Sequence, residues 1–320
     1  MKKFLIILVS LIFLIAIFAI VYYGTELNKK NDSSGSTVFE ISEGESRVSI
    51  SKRLFDEKII SSEAVFLIYV KINDKIIHSG SYLLKKDLSI LEVVDRLSRS
   101  DTVIVKITIP EGYRAEQIAA ELYEKARLDY SSSLKKLSVY EGYLYPDTYF
   151  LMKDSTVDDL ITMMQKNYVK KTAGLTVTGQ DIILASIVER EAVSDADRPI
   201  IAGIYKNRIS AGMKLEADPT VYFANDSIEL LEMSESEKRE YVFWKKVDFS
   251  DYKNIDHPSN TYIYRGVPPE PICNPGIASI RATINYDQND YYYFFHDSAG
   301  EIYPSKTATE HENKKLKYLF

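Results

Sequence analysis

The longest uncharged segment of the sequence lies at its N-terminus, at positions 4–23. As a helix, 20 residues at about 1.5 Å each span roughly 30 Å, the thickness of the hydrocarbon core of a bilayer. Lys2 and Lys3 precede this run, which favours a cytoplasmic N-terminus and an extracytoplasmic remainder, although Lys29 and Lys30 after it weaken the asymmetry. A cleaved signal peptide is the alternative, but the run is longer than a typical signal-peptide core and no A-x-A site closes it. We therefore predict an uncleaved, single-pass membrane anchor.

The composition argues against several classes of function. The net charge is −6, and no basic block is long enough to follow a phosphate backbone, so nucleic acid is not a predicted partner. The single cysteine, Cys273, cannot form an intramolecular disulfide, and its Pro-rich surroundings favour a structural role. The four histidines are scattered, and no metal-ligand spacing, Walker loop or GxGxxG motif is present. We therefore predict neither a metal nor a cofactor.

The length of 320 residues, 45% of them hydrophobic, predicts two or three folded units, and the order of strand and helix patterns along the chain favours the α+β class. Positions 24–37 are polar and contain Ser and Gly, which predicts a flexible linker after the membrane span. Positions 38–100 follow the pattern strand, helix, helix, strand, helix, which is typical of a small α+β unit. We predict a connecting α+β region at 101–174, with a second strand and helix, and a larger mixed α+β domain at 175–320.

The segment QDIILASIVEREAV, at 180–193, is the strongest candidate for a catalytic helix. Its apolar residues form one stripe, and Glu191 falls on that stripe whereas Glu189 lies on the opposite side, where we expect solvent. A carboxyl group against apolar side chains loses solvation of its charged form, so its pKa rises toward the range useful for proton donation. Periodicity alone equally allows Glu191 to be a structural carboxylate paired with an inward arginine.

Polar residues downstream extend this candidate site. Ser194 and Asp197 predict the start of the next helix, and Arg208 falls on that helix's apolar stripe, where it either pairs with a carboxylate or faces a ligand. Asp218-Pro219-Thr220 and the run at 259–262 place hydrogen-bonding side chains beside predicted turns, where sugar hydroxyls and acetamido groups are commonly held. Simple turn chemistry is the alternative for both.

Several motifs in one order resemble the YceG-like family of MltG-type endolytic murein transglycosylases. They are EGYRAEQIAAEL, GYLYPDTYF, ILASIVEREA, IAGIYKNRISAGMKLEADPTVYF, SNTYIYRGVPPEPICNPGIASIRATI, YYYFF and TATEH. Positions 38–100 resemble the LysM-like subdomain of that family, so the likeness covers nearly the whole chain apart from the linker. The resemblance implies a lytic transglycosylase domain at 175–320 that acts on peptidoglycan glycan strands, with peptidoglycan synthases as further partners.

The resemblance also implies roles for single residues. The family's catalytic glutamate is the second of its E-x-E motif, which corresponds to Glu191. Such a glutamate protonates the MurNAc–GlcNAc glycosidic oxygen and then accepts the proton of the muramyl 6-hydroxyl, so the product carries a 1,6-anhydroMurNAc end and glycan strand length is limited. As substrate-binding residues we expect Asn260 at the acetamido group, Tyr262 at the sugar ring, Arg208 as charge balance and Asp218 at the hydroxyls.

Two departures from the family pattern affect the expected substrate cleft. Ile302 and Pro304 stand where the family often has a histidine and an aromatic residue, and Glu270 replaces the glycine of the usual PPG turn. Two other functions compete with the transglycosylase. One is a non-enzymatic protein that binds the cell wall or serves as a scaffold, and the other is a muramidase that admits water.

Overall fold

The apolar N-terminal run forms one long helix, α1 (Lys2–Asn28), as predicted. The computed structural model describes residues 2–30, 35–99, 105–152 and 155–319 of the chain. The stretch from Ile7 to Asn28 is long and apolar enough to cross a membrane, and the large apolar side chains from Ile7 to Tyr22 are exposed. The N-terminal helix is therefore a candidate membrane span, which fits a single-pass membrane protein.

The predicted flexible linker at 24–37 is wrong at both ends. Helix α1 continues to Asn28, and strand β1 (Ser36–Ile41) begins before residue 37, while residues 31–34 lie outside the described part of the chain. The reason is packing, because the side chains of Tyr23 and Leu27 contact the core of the small unit that follows. The Ser61 hydroxyl also donates a hydrogen bond to the Glu26 carbonyl oxygen over 3.4 Å.

The small unit has the predicted order of strand, helix, helix, strand and helix. After β1 its elements are α2 (Arg47–Asp56), α3 (Glu63–Ile72), β2 (Gly80–Lys85) and α4 (Ile90–Ser98). Strands β1 and β2 are antiparallel, with Phe39 opposite Tyr82. The three helices begin at serines 46, 62 and 89, and each serine side chain accepts a hydrogen bond from a backbone N–H two or three residues into its helix. Such caps contribute about 1 kcal/mol each, so the sequence fixes where these helices start.

The larger unit contains most of the remaining chain. One compact unit comprises the residues up to Lys106 and a short segment that begins at Phe150. The other, larger unit comprises Ile107–Tyr149 and the chain from Ser155 onward. Its elements, with the short paired strands that lead into it, are β3 (Val105–Thr108), α5 (Ala115–Ala126), α6 (Tyr130–Leu137), β4 (Thr148–Leu151), α7 (Val157–Lys171), α8 (Gly179–Glu191), α9 (Asp197–Ser210), α10 (Asp218–Leu231), α11 (Glu235–Glu240), α12 (Ile277–Ile284) and α13 (Ala308–Tyr318). The chain is thus of the predicted α+β class. The domain boundaries at 100, 174 and 175 stay predictions.

Helix α8 is buried on two faces rather than one. Leu184, Ile187 and Val188 pack in one cluster with α9 residues, as the predicted stripe requires. On the other face Ile182 and Ala185 pack against Ile280 of α12. The single apolar stripe in the sequence predicted solvent on this second face, but α12 covers it. Helix α8 therefore lies in the interior, with its C-terminal end at the candidate site.

Candidate active site

An open cavity of about 570 Å³ lies at the C-terminal end of α8. Four of the five predicted site residues line it, and these are Glu191, Arg208, Asp218 and Tyr262. The chain brings them together from the end of α8, the end of α9, the start of α10 and the loop between α11 and α12 that contains Tyr262. The hairpin around 293–296 and helix α13 complete the wall.

Glu191 is the last residue of α8 and is half-buried in the cavity wall. Its Oε1 accepts a hydrogen bond of 2.7 Å from the Tyr205 hydroxyl. Burial raises the pKa of Glu191 from 4.5 to about 7. The Tyr205 hydrogen bond and the Arg208 charge oppose that rise, and the Asp218 charge adds to it. At neutral pH this carboxyl is therefore present in both protonated and ionised forms, which suits a group that must donate and then accept a proton.

Tyr205 is the main site residue that the sequence reasoning missed. It lies on the apolar stripe of α9 and packs in the core there, with its ring edge-on to Phe294. Burial and the neighbouring Glu191 hold the pKa of the Tyr205 hydroxyl well above 10, so it stays a hydrogen-bond donor. The available signal was a lone hydroxyl among the aliphatic residues of that stripe, one turn before Arg208.

Arg208 is buried, with 7% of its surface exposed, and its hydrogen bonds are made mainly to backbone carbonyls. Its Nε donates to the Tyr292 carbonyl over 2.6 Å, and its Nη1 donates to the Leu215 carbonyl over 2.7 Å. Nη1 also approaches Glu216 Oε2 at 3.3 Å. The predicted pairing of Arg208 with a carboxylate therefore involves Glu216 and not Glu191, while Arg208 also lines the cavity.

Asp218 and Tyr262 form a hydrogen-bonded pair in the cavity. The Tyr262 hydroxyl donates to Asp218 Oδ1 over 2.7 Å, and the Tyr262 ring packs edge-on to Tyr252 with centroids 4.9 Å apart. The predicted turn at Asp218 is wrong, because Asp218 opens α10 and Pro219 occupies its first turn, where proline is well tolerated. The pair presents one carboxylate edge and one aromatic face beside Glu191.

Asn260 does not line the cavity, contrary to the expectation of direct contact with an acetamido group. Its side chain is fully buried, at 0% exposure. Its Nδ2 donates to the Tyr252 and Ile255 carbonyls over 2.7 and 2.9 Å, and its Oδ1 accepts from the Tyr262 backbone N–H over 2.9 Å. These bonds use both amide protons. Asn260 therefore holds the loop that carries Tyr262.

Glu189 is not solvent-exposed, and that expectation was wrong. Only 6% of its side chain is exposed, because the segment that leads into α12 covers this side of α8. Its Oε1 accepts from Arg198 over 3.2 Å, and its Oε2 accepts from the Gly276 backbone N–H over 2.9 Å. Glu189 is thus a structural ion-pair partner that fixes α8 to α9 and to the start of α12.

Further cavity residues had no sequence signal of their own. Among them are Phe249, Lys253, His296 and Lys315, whereas His311, which also lines the cavity, ends the TATEH motif. The His296 ring lies 3.2 Å from Asp197 at the start of α9. Ile302, one of the two family departures, pairs with His296 in an antiparallel bridge and packs against the core beneath the cavity. The departure at position 302 therefore affects the support of the wall.

Comparisons with known proteins agree with the motifs. A model of the YceG-like family matches residues 39–317. The chain is 30% identical to the endolytic murein transglycosylase of Bacillus subtilis, over 93% of this chain and 89% of that protein. It is 26% identical to the endolytic murein transglycosylase of Streptococcus pneumoniae, over 87% of this chain but only 58% of that longer protein. The crystal structure of a yceG-like protein from Listeria monocytogenes superposes with a TM-score of 0.57 and 29% identity, over 87% of this chain and 98% of that one.

Proposed function

The chain belongs to the YceG-like family, and on that premise we propose that it is an endolytic murein transglycosylase, a lyase that cleaves peptidoglycan glycan strands. The observation that carries the proposal is a half-buried glutamate with a pKa of about 7 in the wall of an open cavity. Two relatives that match most of this chain bear that name.

Glu191 acts first as a general acid. Its protonated carboxyl donates to the glycosidic oxygen between MurNAc and GlcNAc as the bond from that oxygen to the muramyl C1 breaks. The carboxylate left on Glu191 then takes the proton of the muramyl 6-hydroxyl, whose oxygen bonds to C1. The products are a 1,6-anhydroMurNAc end and a free GlcNAc hydroxyl, and Glu191 returns to its protonated form. Because no water is consumed, the reaction does not need the second carboxylate used by most glycosidases.

Neighbouring residues support the two proton transfers. Tyr205 holds one carboxylate oxygen of Glu191, which leaves the other free to face the scissile bond. Asp218 and the Tyr262 ring bind the sugar through its hydroxyls and its apolar face. Arg208 contributes positive charge to the cavity, although its hydrogen bonds are made elsewhere. Asn260 acts indirectly, by positioning Tyr262.

The small unit at 38–100 is proposed to be a LysM-like subdomain that binds glycan and presents it to the catalytic domain at 175–320. Its buried core and capped helices support a folded binding unit, which α1 contacts through Tyr23 and Leu27. Deletion of residues 38–100 should weaken binding to isolated sacculi more than it changes the identity of the cleavage product. Unchanged binding by a folded deletion variant would remove this role.

Helix α1 is proposed to anchor the chain in the cytoplasmic membrane with the C-terminal domains outside. The uncharged run and the preceding lysines support this orientation. A reporter fused after Phe320 should be active only outside the cytoplasm. Recovery of the protein mainly as a soluble, N-terminally trimmed species would contradict the anchor.

Analysis of the cleavage products tests the function. Purified glycan strands are incubated with the protein, and the new ends are identified by mass spectrometry. Ends of the 1,6-anhydroMurNAc type support the transglycosylase, whereas reducing ends support a muramidase. The muramidase is the second candidate because Asp218 lies in the same cavity and could activate water. Absence of cleavage by a folded protein that binds strands would instead favour a scaffold.

A further inference from the structure

Helix α3 is oriented toward the membrane end of α1. Ser61, just before α3, contacts Glu26 near the end of α1. Eight residues after Ser61, Tyr69 of α3 lies near Tyr23 of α1, and both side chains pack against the core of the small unit. Tyr23 is nearer than Glu26 to the uncharged part of α1. Helix α3 therefore runs back along α1, from the polar end toward the apolar end.

The far end of α3 exposes apolar side chains. Ile68 and Ile72 lie one turn apart on α3, and Ile76 lies four residues beyond the end of the helix. Of these residues, Ile72 is 72% exposed and Ile76 is 63% exposed. On the opposite side of α3, Phe66 and Val70 lie in the core. We call Ile68, Ile72 and Ile76 the isoleucine face.

The chain after α3 keeps Ile76 near the helix end. The Lys75 backbone N–H donates to the Val70 carbonyl over 3.0 Å, and Asp74 adopts a left-handed φ of 46°. This is the hydrogen-bond pattern of a Schellman turn, which ends a helix and folds the following residue back against it. Ile76 therefore follows a turn that is closed onto the C-terminal end of α3, where Ile72 lies.

From this geometry we propose that the isoleucine face inserts into the interfacial layer of the same bilayer that α1 spans. The inference rests on the proposed anchor. Ile72 lies three residues, or roughly 4.5 Å of helix, beyond Tyr69 in the direction of the apolar end of α1. Lys71 and Lys75 flank the face and can reach anionic lipid headgroups, although Asp74 adds one opposing charge. The membrane continues the surface that α1 already occupies, and so it is the occupant that fits this face.

The consequence is a small unit that rests on the membrane instead of hanging from a flexible tether. Two contacts would then hold it, namely α1 in the bilayer and the isoleucine face at the surface. The candidate glycan-binding unit would have a fixed orientation toward the cell wall.

Depth-dependent fluorescence quenching tests the proposal on the full-length protein. Ile72→Cys is labelled with an environment-sensitive fluorophore, and the protein is reconstituted in vesicles of phosphatidylglycerol and phosphatidylethanolamine. Cys273 is fully buried, so the introduced thiol is the one that reacts. Val48→Cys on α2 is the matched control, because Val48 is 64% exposed in the same unit and α1 packs against α3 and α4.

Lipids brominated near the headgroup end of the acyl chain should remove most of the fluorescence at position 72 and little at position 48. Equal quenching at both positions, or none at position 72, overturns the proposal. A blue shift at position 72 that depends on protein density, or on added glycan strands, without lipid quenching would assign the face to a second copy or to the cell wall and would also overturn it. Alkaline extraction of the same vesicles separates the causes. Release of the protein refutes the anchor itself, whereas retained protein with an unquenched label at position 72 refutes only the isoleucine face.

Discussion

Replacing Glu191 with glutamine separates a catalytic from a structural role. The amide keeps the shape of the carboxyl group, and its oxygen can still accept the Tyr205 hydrogen bond. It can neither donate nor accept the catalytic proton. General acid and base catalysis contributes about 10² to 10⁴-fold per step, and here one residue serves both steps. We therefore expect Glu191→Gln to lose at least that factor in turnover, with little change in substrate binding.

The same substitution should not lower the stability of the folded protein, and above neutral pH it should raise it. A pKa raised from 4.5 to about 7 corresponds to roughly 3 kcal/mol against the ionised form, at about 1.4 kcal/mol per pKa unit. Solvent in the open cavity reduces this to about 1 to 2 kcal/mol. Because the folded-state pKa is raised, the wild type has its full stability below pH 4.5 and loses this amount as the pH rises through 7. The glutamine variant avoids that loss, so at pH 8 it should unfold at the wild-type temperature or above.

Two measurements on the same preparation decide the matter. Thermal unfolding is followed at pH 5 and at pH 8, and anhydromuramyl ends are counted by mass spectrometry after incubation with glycan strands. A near-native or higher melting temperature with no product supports catalysis by Glu191. A sharply lower melting temperature with residual product would show that Glu191 is a structural residue. Full activity in a well-folded Glu191→Gln protein would refute the mechanism.

Three other substitutions test the surroundings of Glu191. Tyr205→Phe removes a hydrogen-bond donor to the Glu191 carboxylate, so the Glu191 pKa should rise. Because a charge-assisted bond contributes about 1.5 kcal/mol, the alkaline limb of the kcat/KM profile should move upward by about one pH unit. An unmoved limb would contradict the positioning role. Glu189→Gln should cost about 1 to 3 kcal/mol of stability by weakening the pair with Arg198, while the folded variant should still form the same cleavage product. Loss of activity without loss of stability would contradict this. Asn260→Ala should cost about 2 to 3 kcal/mol, since it leaves buried backbone groups without partners, and unchanged unfolding would remove its role in holding the loop.

Local signals predicted the small unit well. Its helices begin at serines whose caps are readable from the sequence, and its strands alternate buried and exposed residues as a half-buried strand should. Such signals act within a few residues of the chain. The apolar pattern did not predict where the candidate membrane helix ends, because Tyr23 and Leu27 pack against residues far away in the sequence.

Long-range packing explains the errors in the candidate site. Helical periodicity correctly predicted that Glu191 lies on the inner side of α8, but that prediction assumed that only one face of the helix is buried. Glu189 is buried because a segment more than 80 residues later folds over it, and its hydrogen bond to Gly276 shows that contact. The acetamido role of Asn260 followed from its position in a family motif, and the sequence itself left simple turn chemistry as the alternative. Only its three bonds to buried backbone groups reveal that it is part of the loop's support.

The hydrogen-bond partners of Arg208 help to explain how a single carboxyl can perform both proton transfers. An arginine paired directly with Glu191 would favour the ionised carboxylate and hold its pKa low. Such a group would be a poor acid at neutral pH. In this chain the Arg208 guanidinium is bonded to the Tyr292 and Leu215 carbonyls and to Glu216 instead of to Glu191. Its charge still lowers the Glu191 pKa, but by less than burial raises it. Asp218, on the other side, raises the Glu191 pKa. Arg208→Gln should therefore disturb the loops that carry Leu215 and Tyr292 more than it shifts the pH profile, and a profile displaced by a full unit in a stable variant would contradict this account.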